Sequence, residues 1–253
     1  MYYYIMEPAT GKASWQEKVK DMLGDLGIAG ETVMPSAART IEELASLGVI
    51  KGYTTIVAVG SEKIANKVAT ALINQKNTKD TVLGIIPDDY TSKLAKRIGV
   101  SDFKEACQAL KFRKLEMVDA CFVEPNKYFI LEATIDNNHN GEAYLSLDSI
   151  QAGMPFDRIV IKPGLKIEIQ DSKGSGGQAI KSFFGRLFGK KEEGPDIFTS
   201  FFHTNELKIE IPGNSLGLKV DDEIIAKTPI YCSHVPHALK IIIKRDTIDQ
   251  KES

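Results

Sequence analysis

Thr54-Thr55-Ile56-Val57-Ala58-Val59-Gly60-Ser61-Glu62-Lys63-Ile64-Ala65-Asn66 is the stretch that decides the fold. The apolar, β-branched run from Ile56 to Val59 suits a parallel strand covered on both faces. Gly60 lets the backbone turn where a side chain would clash, and Ser61 is a good helix N-cap. Ile64, Ala65, Val68, Leu72 and Ile73 then fall on one helical face. Strand, glycine and helix N-terminus together form the arrangement by which α/β proteins present backbone N–H groups to a phosphate. A second loop, Ile86-Pro87-Asp88-Asp89-Tyr90-Thr91-Ser92-Lys93-Leu94-Ala95-Lys96, follows the next apolar strand.

Outward from these loops, the first half alternates strands with helices. A strand is expected over 2–6, a turn at Pro8-Ala9-Thr10-Gly11, and a helix over 14–26 burying Val19, Met22, Leu23 and Leu26. A short strand near 32–34 and a helix over 40–47 precede the two βα units, and a helix over 102–110 leads into an apolar strand at 118–123. This order predicts a doubly wound parallel sheet with its crevice at the carboxyl ends of the strands. From Lys127 onward the runs become short and often alternating, broken by Asn, Gly, Pro and Asp. They predict an all-β sandwich with strands over 128–135, 142–147, 158–161, 166–169, 197–203, 206–211, 216–220 and 238–244. The fold class is therefore α/β followed by an all-β sandwich, with domains at 1–125 and 126–246 and a frayed polar tail at 247–253.

One segment, 174–195, stands apart from the β pattern. Gly174-Ser175-Gly176-Gly177 opens it and Gly194-Pro195 closes it. Between them Ile180, Phe183, Phe184, Leu187 and Phe188 recur at helical spacing, with Lys181, Arg186, Lys190 and Lys191 on or beside the other face. Such a helix can lie in an anionic membrane interface, with Phe183, Phe184, Leu187 and Phe188 as the contacts. The alternative is a helix packed on its own domain or on a partner in a homodimer.

The 253 residues are 43% hydrophobic and 26% charged, with a net charge of −2, which gives no reason to expect nucleic-acid binding. Three scattered cysteines do not make a disulfide framework and suggest a reducing compartment. Met1-Tyr2-Tyr3-Tyr4-Ile5-Met6 reads as a first strand rather than a signal peptide, and no apolar run approaches the ~20 residues of a membrane span. A cytoplasmic protein, able to sit peripherally on a membrane, is expected. Cys232-Ser233-His234-Val235-Pro236-His237 looks superficially like a zinc site, but strand alternation separates His237 from the other two ligands and no fourth is evident.

Three loops and one late turn carry a family resemblance: Glu7-Pro8-Ala9-Thr10-Gly11-Lys12, the loop from Gly60 to Asn66, the loop from Pro87 to Lys96, and Val220-Asp221-Asp222-Glu223. In order and spacing they resemble the diacylglycerol-kinase-like lipid kinases, within the wider NAD-kinase-like superfamily. That family has Asn-Pro-x-Ser-Gly, Gly-Gly-Asp-Gly-Thr with a following Asn, Pro-x-Gly-Thr-x-Asn-Asp-Phe-Ala-Arg, and Val-Asp-Gly-Glu at these places. The resemblance implies transfer of the ATP γ-phosphoryl group to a lipid hydroxyl such as that of diacylglycerol, in a cleft between the domains. It places Thr10, Gly11, Gly60, Ser61, Lys63, Asn66 and Ser92 at the nucleotide. Glu62 and Asp221 become the catalytic carboxylates, with Asp221 as general base, and Glu223 a ligand for Mg²⁺.

The departures fall on the same loops. Ser61, Lys63 and Ile64 replace Gly, Gly and Thr, and Asp88 and Asp89 bring two carboxylates beside the expected phosphate position. Phosphoryl transfer rests on positioning and positive electrostatics. The sequence therefore predicts a weakened or inactive relative that binds lipid, membrane or a partner, with an active lipid kinase as the alternative.

Overall fold

The computed structural model describes residues 1–8, 13–75, 81–137, 141–172 and 198–245. The segment 174–195, with Phe183, Phe184, Leu187 and Phe188, lies outside the described residues, as do Thr10, Gly11 and the tail 247–253. The chain divides into two compact units, residues 1–120 with 236–253, and residues 121–235.

The first unit contains β1 (Tyr2–Met6), α1 (Ala13–Asp25), β2 (Glu31–Val33), α2 (Ile41–Ile50) and β3 (Thr55–Gly60), followed by α3 (Glu62–Asn74), β4 (Val82–Pro87), α4 (Lys93–Ile98) and α5 (Phe103–Phe112). β5 (Lys114–Val123) leaves it. β3 and β4 are buried at every position, as their unbroken apolar runs require of strands covered on both faces. β3 lies between β1 and β4, all parallel, giving the order β2-β1-β3-β4. The order reverses between β1 and β3, which makes their carboxyl ends the topological switch point. α2 packs against α3, and α1 against α5.

Local signals start and stop these helices. Thr40 closes a capping box on α2: its hydroxyl accepts from the Glu43 N–H at 3.2 Å, and the Glu43 carboxylate accepts from the Thr40 N–H at 2.8 Å. Gly99, at φ +76°, ends α4 in the left-handed region.

The second unit contains β6 (Lys127–Phe129), β7 (Ala133–Asp136), β8 (Glu142–Leu147), β9 (Ile150–Pro155), β10 (Arg158–Lys162) and β11 (Lys166–Asp171). After these come β12 (Phe198–His203), β13 (Glu206–Glu210), β14 (Gly217–Val220), β15 (Glu223–Lys227) and the start of β16 (Ile230–Ile243). One layer runs β12-β11-β10-β7-β14-β15; the other carries β16, β13, β8 and β9. Alternate residues of both layers, including Ile135, Leu145, Ile159, Ile167 and Ile209, close on one apolar core with Phe129 and Phe156. The single strand expected over 128–135 is two, because the chain changes layer there: Tyr128 pairs with Phe122, whereas Ala133 pairs with Ile161. The hairpin partners β9 and β15 are additional to the expected strands.

β16 returns to the first unit after Val235. Lys240 and Ile241 pair in parallel with Val82 and Leu83 of β4, and the Lys244 N–H donates to the Ile98 carbonyl at 2.9 Å. The Lys244 ammonium donates to the Glu105 carboxylate, which also accepts from the Ser101 N–H and hydroxyl. These bonds, the lysine's first, hold the Glu105 carboxyl at about 2, below its ordinary 4.5. Its contribution to stability is therefore complete above 4.5 and is lost as pH falls from there toward 2. Urea titrations across that window should show a steeper acid loss for the wild type than for Glu105→Gln, and equal slopes would exclude this anchor.

Candidate functional site

Three loops leave the parallel sheet of the first unit at its carboxyl edge, and backbone hydrogen bonds stitch them together. The Glu7 N–H donates to the Val59 carbonyl at 2.9 Å, and the Asp88 N–H to the Gly60 carbonyl at 3.1 Å. Gly60 stands at φ +140°, where an L side chain is strained. A Cβ there would also lie 2.5 Å from Glu7 Oε2 and 2.7 Å from Glu7 Cβ. Glycine is required for both reasons.

The side chain that crowds Gly60 also caps the helix behind it. Glu7 Oε2 accepts the Ser61 N–H at 2.8 Å. Ser61 is the N-cap of α3 but makes no side-chain cap bond, and its buried hydroxyl has no partner among the described residues. Gln16 holds Glu7 in place, its Nε2 donating to the Glu7 carbonyl at 3.0 Å. A carboxylate at a helix start is stabilised by the exposed N–H groups and the helix dipole.

α4 is capped in the same manner. Glu62 Oε1 accepts the Leu94 N–H at 2.7 Å, and Ser92 Oγ accepts the Ala95 N–H at 3.1 Å. Between them Asp89 accepts both the Thr91 N–H, at 2.8 Å, and its hydroxyl, at 2.7 Å, and these bonds hold its carboxyl below the usual range. Lys63 is exposed on the first turn of α3, and Asn66 is half-buried one turn on. Gly60, Ser61, Glu62, Lys63, Asn66 and Ser92 are thus gathered at one edge, together with Glu7, Asp88 and Asp89.

Asp221 and Glu223 belong to the second unit. Val220 and Glu223 pair at the end of the β14–β15 hairpin, and Asp221 and Asp222 form its turn at φ +49° and +63°. Two successive positive φ angles define the tight hairpin turn that matches strand twist, and Asp tolerates that region better than most residues. Among the described residues, no group of three or more His, Cys, Asp and Glu comes together as a metal site. Burial pushes the Cys107 and Cys232 thiols up to about 12, so neither is an activated nucleophile at neutral pH.

No protein-family model matches the sequence. A probable YegS-like lipid kinase of Enterobacter sp. strain 638 is 29% identical over 132 residues, which cover 49% of this chain and 43% of that protein. The match thus spans less than half the length of this curated relative. Two structures from Bacillus anthracis strain Sterne, one a candidate diacylglycerol kinase and the other a diacylglycerol kinase, superimpose with TM-scores of 0.74 and 0.71. In both cases the match covers 96% of each chain at 14% identity. The chain has the diacylglycerol-kinase fold. The resemblance to diacylglycerol-kinase-like lipid kinases is met by the sequence relative, and the solved structures share the fold.

Within this lipid-kinase fold, Glu7 is the residue that sequence reasoning passed over. The signal was present, since Glu7 stands where the family turn has Asn. No helix among the described residues is long and apolar enough to cross a membrane.

Gly60→Ala should lower stability by at least about 1–2 kcal/mol, read as a fall of several degrees in the thermal midpoint. Asp222→Gly, which relieves a left-handed aspartate, should raise stability by up to about 1 kcal/mol in the same measurement.

Proposed function

We propose that this chain is a lipid-kinase-fold protein that does not hold ATP phosphates at the start of α3 and serves to bind lipid, a membrane surface or a partner. The observation that carries this reading is the Glu7 carboxylate on the Ser61 N–H at 2.8 Å. A phosphate oxygen seated on that N–H would lie within about 4 Å of a like charge, which costs about 4 kcal/mol at an effective dielectric of 20. That corresponds to roughly a thousandfold in affinity. Asp88 and Asp89 add negative charge on the adjoining loop, and Glu62 is engaged as a cap on α4. The residues present therefore do not suit an ATP phosphate chain at this place, although Lys63 and Lys93 lie on the same loops.

The competing reading is a divergent kinase that uses ATP and Mg²⁺ to phosphorylate a diacylglycerol-like hydroxyl. It draws on the similarity to a probable lipid kinase. Calorimetric titration with MgATP separates the two. The wild type should show no binding up to about millimolar ATP, and Glu7→Gln should gain at least about tenfold in phosphate affinity. Micromolar binding by the wild type would overturn the proposal. Loss of turnover in Glu62→Ala and Asp221→Ala would then establish the kinase.

For the membrane-binding form of this reading, the sequence supplies Phe184 and Phe188 with neighbouring lysines. Co-sedimentation with anionic vesicles should be lost in the Phe184→Glu/Phe188→Glu double variant. Retention of that variant on the vesicles would rule the segment out as the contact.

A further inference from the structure

The outer face of the β13-β8-β9 layer carries a pocket. Register fixes its floor. Tyr144 of β8 lies opposite Glu210 of β13 on one side and Gly153 of β9 on the other. One step along, Ser146 lies opposite Gln151. These side chains point away from the sandwich core, because their neighbours Ala143, Leu145 and Leu147 face into it.

Gly153 has no side chain to lift the tyrosine. A Cβ there would lie 3.2 Å from Tyr144 Cε1, so the ring rests over that position while staying 47% exposed. The turn at Pro212 and Asn214 and the Thr228-Pro229 segment wall the pocket, which has a volume of about 650 Å³. The wall is braced: Thr228 Oγ1 accepts the Leu216 N–H at 3.0 Å and donates to the Asn214 carbonyl at 3.3 Å. The volume is that of a site for a small organic ligand.

Its chemistry is selective. Among the described residues the lining contains no Lys, Arg or His, which disfavours phosphate esters, and the one carboxylate among them, Glu210, is bridged to Lys208 at 2.8 Å. What remains is an open aromatic face beside the neutral hydrogen-bonding side chains Ser146, Gln151 and Asn214. Among the described residues these three side chains bond to no other residue. The negative face of an aromatic ring attracts polarised C–H groups, while amides and hydroxyls both give and accept hydrogen bonds. A ring with axial C–H groups and equatorial hydroxyls answers both features. We infer that this pocket binds a neutral, hydroxyl-rich ring, either a free monosaccharide or the sugar headgroup of a glycolipid.

The site is independent of the phosphate-loop reading and survives or fails separately. The test is saturation-transfer NMR on the full chain with methyl β-glucopyranoside, methyl β-galactopyranoside and myo-inositol. Vesicle flotation with and without monoglucosyl diacylglycerol in phosphatidylcholine accompanies it. Tyr144→Ala removes the floor and Gly153→Val raises a side chain into it. Both positions face away from the core, and thermal melts check that the variants fold. Transfer to a free sugar at roughly millimolar affinity, weakened at least about tenfold in both variants, supports the site and identifies the soluble source. Flotation only with the glycolipid, lost in both variants, supports it and identifies the headgroup. No response to any of these probes overturns it. So does a response that Tyr144→Ala leaves unchanged, or transfer to adenosine in place of every sugar.

Discussion

A helix that starts where a buried strand ends leaves its first N–H groups without intrahelical acceptors, and the chain must supply them. This protein supplies several from its own carboxylates. Glu7 takes the first amide at the start of α3, Glu62 reaches from α3 to α4, and Asp102 accepts the Glu105 N–H at the start of α5 at 2.8 Å. The Glu7 and Glu62 bonds each tie one crossover to another, so the loops at the carboxyl edge are braced against one another, whereas Asp102 caps its own helix. In a fold that usually leaves its switch point open for an anionic ligand, satisfaction from within changes what the crevice can attract. The same carboxylates that hold the loops in place bring negative charge to that edge.

The second unit follows a different logic. Its strands are short, and stability comes from two layers closing on a shared core, with alternate residues inward. Turn chemistry sets the register: Asp221 and Asp222 adopt the left-handed angles that a tight hairpin needs. That is a structural reason for aspartate at a position where analogy would read catalysis. The outward half of each strand is free to carry other chemistry, and on β8, β9 and β13 it carries a tyrosine laid over a glycine.

Much of the fold is legible in the sequence because burial leaves a periodic trace. The run from Ile56 to Val59 and the helical face of Ile64, Ala65, Val68 and Leu72 are buried as their spacing requires, with Ile73 half-buried at the end of that face. β9 is not legible, since Ile150-Gln151-Ala152-Gly153-Met154-Pro155 contains few residues that favour strands and becomes one only by pairing with β8. The loop cluster was partly legible. The strand-and-loop order puts Gly60, Glu62 and Ser92 at one edge, but the bonds that define them leave no trace in the sequence. Glu7 and Ser61 are 54 positions apart, and Glu62 and Leu94 are 32 apart. No local pattern announces a contact that only the packed sheet creates.

The path of β16 has a consequence for how the chain acquires its structure. Its early residues pair with β13 in the second unit, whereas Lys240 and Ile241 complete the sheet of the first beside β4. The first unit is thus discontinuous, and the second, residues 121–235, is inserted within it. As the chain emerges from the ribosome, the inserted unit has all its residues before the outer one does. Until residues 236–243 emerge, β4 keeps an open edge with its N–H and C=O groups unpaired on that side, a vulnerable template for wrong pairing. Sheet closure in the unit that begins first therefore waits for β16 to be made.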